Sequence, residues 1–184
     1  MSELWTERLH LRPLAAGDFE AHARITADAE VMRWISAAPL SRTEAWWNLA
    51  RYVGHWQLRG HGMWGLVERA SGELVGHAGF LEPEGDHGFE LGWALARDAW
   101  GRGYALEAAR SAVQHAFAAL GRDRITIVIR PENERSIRIA ERLGARLRER
   151  STSRGAEALV YVLTQADRPS TSPARNAPAD RPER

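Results

Sequence analysis

Two hydrophobic periods alternate along the first 167 residues. Short stretches with a period of two are typical of half-buried strands, and longer stretches with an apolar residue every third or fourth position are typical of amphipathic helices. The pattern predicts strands at 8–12, 63–69, 73–81, 87–96, 125–130, 145–151 and 157–164. It predicts helices from Asp18, from Ser41, over about 103–120 and from Asn133 to Gly144. This order indicates an α/β fold, with a mixed sheet of about seven strands and four helices on its faces.

The helix that starts at Ser41 has the clearest N-terminal signal. Ser41 and Glu44 have the S-x-x-E spacing of a capping box, in which each side chain satisfies a free backbone N–H at the start of the helix. The apolar face that the spacing predicts for this helix consists of Trp46, Leu49, Ala50 and Val53.

The apolar pattern stops near Asp167, and the next residues are rich in proline and small polar side chains. Such a composition buries too little apolar surface to fold, so we expect a disordered C-terminal tail over 168–184. Residues 1–167 form one domain of ordinary length. No stretch has the length and apolarity of a membrane span, and no apolar signal core is found, so the sequence predicts a cytoplasmic protein without membrane contact.

Composition excludes several kinds of chemistry. The chain has no cysteine, which rules out disulfides, zinc–thiolate sites and a cysteine nucleophile, and we expect no metal. It also has no lysine, so a Schiff-base lysine and a Walker-type phosphate loop are absent. The formal net charge of +1 does not suit a nucleic-acid-binding protein, so an arginine-rich RNA-binding module is a remote alternative.

The segment from Leu95 to Ala105 carries the most information about function. It follows a predicted strand, opens a predicted helix and contains Gly101 and Gly103. A helix start exposes backbone N–H groups and the positive end of the helix dipole, and glycines let the backbone approach an anion closely. The segment therefore suits a pyrophosphate. By itself it is equally consistent with an ordinary strand-to-helix turn.

The turn W-G-R-G-Y-A at 100–105 resembles the signature of the GNAT superfamily of N-acetyltransferases, in the form found in its RimJ/RimL-like branch. Trp100 stands where most of the family has Gln or Arg. The segment 133–145 is similar to a second motif of the family, N-x-x-S followed by G after seven further residues. The resemblance covers nearly all of residues 7–164 and implies a GNAT fold that uses acetyl-CoA as co-substrate.

The resemblance also implies which residues bind the coenzyme. The backbone amides expected to hold the pyrophosphate belong to Gly101, Arg102, Gly103, Tyr104, Ala105 and Leu106. The Arg102 guanidinium is a further candidate for coenzyme phosphates. The groups expected along the pantetheine arm are Asn133, Ser136 and the backbone of Trp93, Ala94 and Leu95. The Leu95 N–H is expected to face the thioester oxygen.

Three side chains are candidates for the catalytic proton transfers. Glu90 is a candidate base at a position where related enzymes often carry a carboxylate, and His77 on the preceding strand is a second candidate. Tyr161 is a candidate to protonate the leaving thiolate. Each also has a structural interpretation: an exposed strand glutamate, a packed histidine and a core tyrosine.

The acceptor is less well defined than the coenzyme. Eight tryptophans are many for this length, and Trp34, Trp47 and Trp64 are candidates for an aromatic acceptor pocket, although core packing also explains tryptophans. The predicted reaction is direct acetyl transfer to a primary amine, either a protein N-terminus or a small molecule. An antibiotic or polyamine acetyltransferase and a non-catalytic acetyl-CoA sensor are the alternatives, and a homodimer is plausible.

Overall fold

In a computed structural model that describes residues 2–84, 88–153 and 155–167, these residues form one mixed sheet of eight strands with helices on both faces. The strands are β1 (Leu4–Trp5), β2 (Leu9–Pro13), β3 (Met63–Glu68), β4 (Leu74–Leu81), β5 (Glu90–Leu95), β6 (Arg124–Ile129), β7 (Arg146–Ser153) and β8 (Ala156–Thr164). The α-helices are α1 (Phe19–Ala27), α2 (Ala29–Met32), α3 (Arg42–Arg59), α4 (Tyr104–Ala118) and α5 (Glu134–Arg142).

The α/β class is confirmed, and the seven predicted strands and four predicted helices all correspond to elements of the structure. The short β1 and α2 were not predicted, because two and four residues are too few to show a period. The predicted tail, 168–184, lies outside the described residues. Within the described residues, no helix has the combination of length and apolarity that crossing a bilayer requires.

The strand order is β1-β2-β3-β4-β5-β6-β8-β7. Neighbouring strands in the described sheet are antiparallel except β5 and β6, which are parallel. Helix α4 packs on one face, where its alanines meet Leu91, Ile125 and Ile127 in the main core. Helices α1 to α3 contribute to two smaller clusters, which include Leu49 and Ile25 and which we place on the opposite face. The parallel pair therefore lies between two helical layers.

Helix α3 begins as predicted but is rotated relative to the predicted face. Ser41 accepts from the Glu44 N–H at its N-terminus, and the reciprocal contact completes the capping box. The buried side chains are Ala45, Leu49, Tyr52 and Trp56. Of the predicted inward residues, Leu49 is buried, but Trp46 is 46% exposed and Ala50 is also exposed, so that part of the prediction is wrong. Tyr52 and Trp56 occupy the interior instead, and the Trp56 indole N–H donates to the Met63 carbonyl at 2.9 Å.

Candidate active site

The candidate site is a cleft between β5 and β6. The two strands are paired through one position, Glu90 opposite Thr126, where the Thr126 N–H donates to the Phe89 carbonyl at 2.9 Å. Beyond this position they diverge, although both continue for several residues. The gap opens into a cavity of about 120 Å³, to which β5 contributes Gly92 and Trp93.

The backbone of β5 directs N–H groups toward this gap. The Ala96 N–H donates to the Val75 carbonyl across β4, whereas the Phe89 carbonyl faces β6. Backbone groups along a strand alternate in direction, so the N–H groups of Trp93 and Leu95 point away from β4 and toward the diverging strand. The strand therefore offers donors along the wall of the cleft.

The cleft crosses the sheet from one helical layer to the other. Leu91 and Leu95 pack in the core that contains α4, whereas Ala94 packs with residues of α1 and α2. Successive side chains of a strand point to opposite faces, so Glu90 and Gly92 lie on the same face as Ala94. One mouth of the cleft thus faces α4 and α5, and the other faces α1 to α3.

Strand β6 follows the same alternation. Ile127 and Ile129 pack in the core with α4 and α5 residues, which directs Val128 and Arg130 toward the α1–α3 face. All four residues line the cleft. Arg130, the first residue after the strand, therefore shares a face with Glu90.

The glycine turn lies where β5 ends. Gly101 and Gly103 have φ values of 76° and 81°, in the left-handed region that favours glycine, and Gly103 is the N-cap of α4. The first backbone N–H groups of an α-helix have no partner within the helix. An anion at this turn would therefore meet free N–H donors and the positive end of the α4 dipole.

Trp100 connects this turn to the cleft wall. Its indole N–H donates to the Leu95 carbonyl at 2.9 Å, and the Arg135 guanidinium lies 4.9 Å from its ring centroid. The hydrogen bond satisfies a carbonyl that would otherwise face the gap. Trp100 therefore fixes the glycine turn relative to both β5 and α5.

The side chains of Arg102 and Tyr104 anchor the turn to strand β3. Both contact the Glu68 carboxylate, and the Arg102 guanidinium lies 4.6 Å from the centroid of the Tyr104 ring. The hydrogen bond from Tyr104, together with one from Ser71, keeps the pKa of Glu68 below its usual value. The Arg102 guanidinium is thus engaged with a carboxylate, which leaves its backbone N–H as the group available to a phosphate.

Helix α5 brings the second motif to the cleft. Asn133 is its N-cap, with the side-chain oxygen accepting from the Ser136 N–H at 3.2 Å, and both residues line the cleft on its α4–α5 side. Asn133 therefore combines a capping role with a position on the cleft wall.

A buried histidine lies beneath the α1–α3 mouth. His77 is 4% exposed, and its Nε2 lies 3.5 Å from the hydroxyl of Tyr52, which also lines the cleft. Burial, reinforced by the neighbouring His22, lowers the pKa of His77 to about 3. His77 Nδ1 has no hydrogen-bond partner within the described residues. His77 is therefore neutral at physiological pH.

Several predicted site residues come together at this cleft, and others do not. The predicted residues on the cleft wall are Trp34, His77, Glu90, Trp93, Asn133 and Ser136. Trp64 is fully buried between Trp56 and Phe80, with its indole N–H donating to the Ser2 carbonyl, so the structure corrects its assignment to the acceptor pocket. Trp47 is 67% exposed on α3 and does not line the cleft.

Tyr161 is also placed in the core. It lies opposite Ile127 on β8, is 5% exposed and does not line the cleft, so the expectation that it reaches a leaving thiolate is not supported. Burial raises its pKa. The sequence reasoning in turn missed Arg51, Tyr52 and Arg130. The alternation along β6 was a usable signal for Arg130, whereas the two α3 residues had none.

Comparisons with known proteins agree with this geometry. Residues 8–146 match the family described as acetyltransferase (GNAT) domain. The chain is 26% identical over 170 residues to an uncharacterized N-acetyltransferase p20 of Bacillus licheniformis, covering 89% of this chain and 96% of that protein. A solved acetyltransferase of Agrobacterium tumefaciens superposes with a TM-score of 0.82 at 32% identity, covering 90% of this chain and 95% of the other.

A putative ribosomal-protein-serine acetyltransferase of Vibrio cholerae has the same fold, with a TM-score of 0.73 at 22% identity, covering 89% of this chain and 97% of that protein.

Proposed function

This chain belongs to the GNAT acetyltransferase family, and we propose that it transfers the acetyl group of acetyl-CoA to a primary amine in a ternary complex. The proposal rests on two features together: the cleft between β5 and β6, and the glycine turn on the connection from β5 to α4. A coenzyme with a pyrophosphate at one end and a slender arm at the other matches both features.

The coenzyme would enter from the α4–α5 mouth. The N–H groups of residues 101–106 would receive the pyrophosphate, because the start of α4 supplies free donors and a positive dipole. Asn133 and Ser136 would contact the pantetheine arm opposite the Trp93 backbone. The thioester would then reach the point where β5 and β6 diverge, with the acceptor approaching from the α1–α3 mouth.

The reaction forms one bond and breaks another. The lone pair of a neutral amine attacks the thioester carbon, the C–S bond breaks, and the thiolate of coenzyme A takes up a proton as it leaves. The Leu95 N–H would stabilise the carbonyl oxygen as it gains charge, and such a donor contributes about 3 kcal/mol in the transition state. Since the chain has no cysteine, the acetyl group cannot pass through an acetyl-cysteine intermediate on the enzyme. Direct attack in a ternary complex predicts initial-rate plots that intersect, and parallel lines would contradict it.

Glu90 is the base that we propose, acting on the amine directly or through water. It lies on the acceptor face and is half-buried, so a proton that it accepts can pass to solvent. His77 is a poor alternative. Moving a proton from an α-ammonium of pKa about 8 to an imidazole of pKa about 3 costs roughly 7 kcal/mol. We propose that His77 instead accepts a hydrogen bond beneath the acceptor.

Substitution of Glu90 by Gln tests this assignment. We expect kcat to fall and its acid limb to flatten, while acetyl-CoA binding measured by calorimetry stays unchanged. Glu73→Gln, at an exposed turn before β4, is the matched control. Unchanged rates across pH in the Glu90 variant would remove this residue from the mechanism.

The acceptor defines the biological role. A protein N-terminal α-amine with pKa about 8 is neutral about one time in ten at pH 7, whereas a lysine amine is neutral about once in a thousand. An α-amine therefore needs less help from a base, and the fold shared with the putative ribosomal-protein-serine acetyltransferase of Vibrio cholerae supports this class. Thiol release from acetyl-CoA with α-amines, polyamines and aminoglycosides would separate it from an antibiotic or polyamine acetyltransferase. Binding without thiol release from any amine would instead indicate a sensor.

A further inference from the structure

Two arginines lie at the acceptor mouth of the cleft. Arg51 is exposed on α3, and its guanidinium lies 5.2 Å from the centroid of the Tyr52 ring. Arg130 is half-buried and reaches the same mouth from the end of β6. Among the described residues, neither guanidinium forms an ion pair with a carboxylate. Both are therefore available to a ligand.

In this respect Arg130 differs from the other half-buried arginines among the described residues. Arg12 pairs with Asp18 at 2.7 Å, and Arg122 pairs with Glu82 at 2.8 Å. At the acceptor mouth, the carboxylate of Glu90 is accompanied by two guanidinium groups and a neutral His77. The lining of the cleft thus carries an excess of positive charge, and partial burial strengthens its effect on a bound ligand.

We propose that the acceptor is an amine that carries a carboxylate close to its amino group, as an α-amino acid does. This inference rests on the acetyl transfer to an amine proposed above. It departs from a protein N-terminus as acceptor, because the α-carbon of a protein N-terminus carries an amide, whereas this acceptor carries a free carboxylate. The planar fork of a guanidinium binds the two oxygens of a carboxylate at once, so Arg51 and Arg130 would hold the acid group while Glu90 attracts the amine.

The remaining lining residues fit such an acceptor. Trp34, Ile35 and Leu81 give the cleft an apolar wall that suits an aliphatic or aromatic side chain. A polyamine or an aminoglycoside would bring several ammonium groups close to two guanidinium groups. Their repulsion acts against these polycations, so the same charges that bind the acid also reject them.

Matched pairs of acceptors test the inference. The probes are leucine against leucinamide and phenylalanine against phenylalaninamide, and the readout is the ratio of kcat/KM for the acid to kcat/KM for the amide. Differences in amine basicity cancel when the ratio of a variant is compared with that of the unsubstituted protein. We expect Arg51→Gln and Arg130→Gln each to lower the ratio by about tenfold, the usual effect of losing a charge-assisted hydrogen bond. Arg51→Lys should give an intermediate value.

Arg110→Gln, which removes a charge from the exposed side of α4, is the control and should leave the ratio unchanged. An unchanged ratio in both cleft variants, or acetylation of spermidine in preference to the acids, would overturn the inference while leaving acetyl transfer to amines intact. Failure of the unsubstituted protein to bind acetyl-CoA in calorimetry would instead remove the proposed function, and this inference with it.

Discussion

Replacing Gly92 by Ala should make the protein more stable and less active. Gly92 lies on β5 opposite Gly79, lines the cleft and faces the acceptor side between Glu90 and Ala94. A Cβ atom built at this position meets no heavy atom within 4 Å, and Gly92 is not among the glycines with positive φ. Alanine therefore fits the folded backbone without strain, and its methyl group projects into the cleft.

The two effects have different origins. Alanine restricts the unfolded chain, which stabilises the protein by about 0.4–1 kcal/mol where the native backbone accepts it. For a domain of this size, that gain corresponds to a rise in Tm of roughly 1–4 °C. The methyl group occupies space through which the amine must come to about 3–3.5 Å from the thioester carbon. A displacement of about 1 Å can cost a hundredfold, so we expect kcat/KM to fall by about ten- to a hundredfold.

Thermal unfolding followed by circular dichroism and thiol release from acetyl-CoA measure the two quantities. Gly54→Ala is the matched control, because Gly54 also has no heavy atom within 4 Å of an added Cβ but lies in α3 away from the cleft wall. It should raise Tm and leave activity unchanged. Gly79→Ala should instead destabilise the protein by about 2 kcal/mol or more, since its Cβ would lie 2.3 Å from the Gly62 carbonyl oxygen.

A Gly92 variant with raised Tm and unchanged kcat/KM would refute the route that we assign to the acceptor. A fall in Tm would show that the space beside Gly92 is not open.

Other substitutions test the remaining parts of the site. Trp100→Phe removes the hydrogen bond to the Leu95 carbonyl, so KM for acetyl-CoA should rise about fivefold, equivalent to about 1 kcal/mol, while Trp5→Phe at an exposed position should not change it. His77→Leu should reduce the loss of stability between pH 6.5 and 5, measured by urea unfolding, by about 1.6 kcal/mol in total, because the unfolded chain protonates this histidine and the native state keeps it neutral. An unchanged pH dependence would contradict its burial. Trp64→Ala should lower the free energy of unfolding by about 3–5 kcal/mol, and a loss below 1 kcal/mol would contradict its place in the core.

The order of strands and helices followed from the sequence because each element is encoded by residues only a few positions apart. The capping box of Ser41 and Glu44 and the left-handed Gly103 at the start of α4 are interactions of this kind. They depend only on backbone geometry within one turn of the chain, and no distant residue is needed to form them. The glycine turn that we propose as the coenzyme end of the site could therefore be predicted from the sequence alone.

The acceptor end depended on the tertiary structure. Trp34 and Trp64 were equal candidates in the sequence, but Trp34 lines the cleft and Trp64 lies in the core. The packing of α3 on the sheet decides which tryptophan is enclosed. Arg51 and Arg130 are 79 positions apart in the sequence and line the same cleft only in the folded chain. The divergence of two parallel strands depends on how the helices above and below them pack. Two residues brought together in this way leave no periodic pattern and no local motif in the sequence, so only the tertiary structure reveals that they share a site.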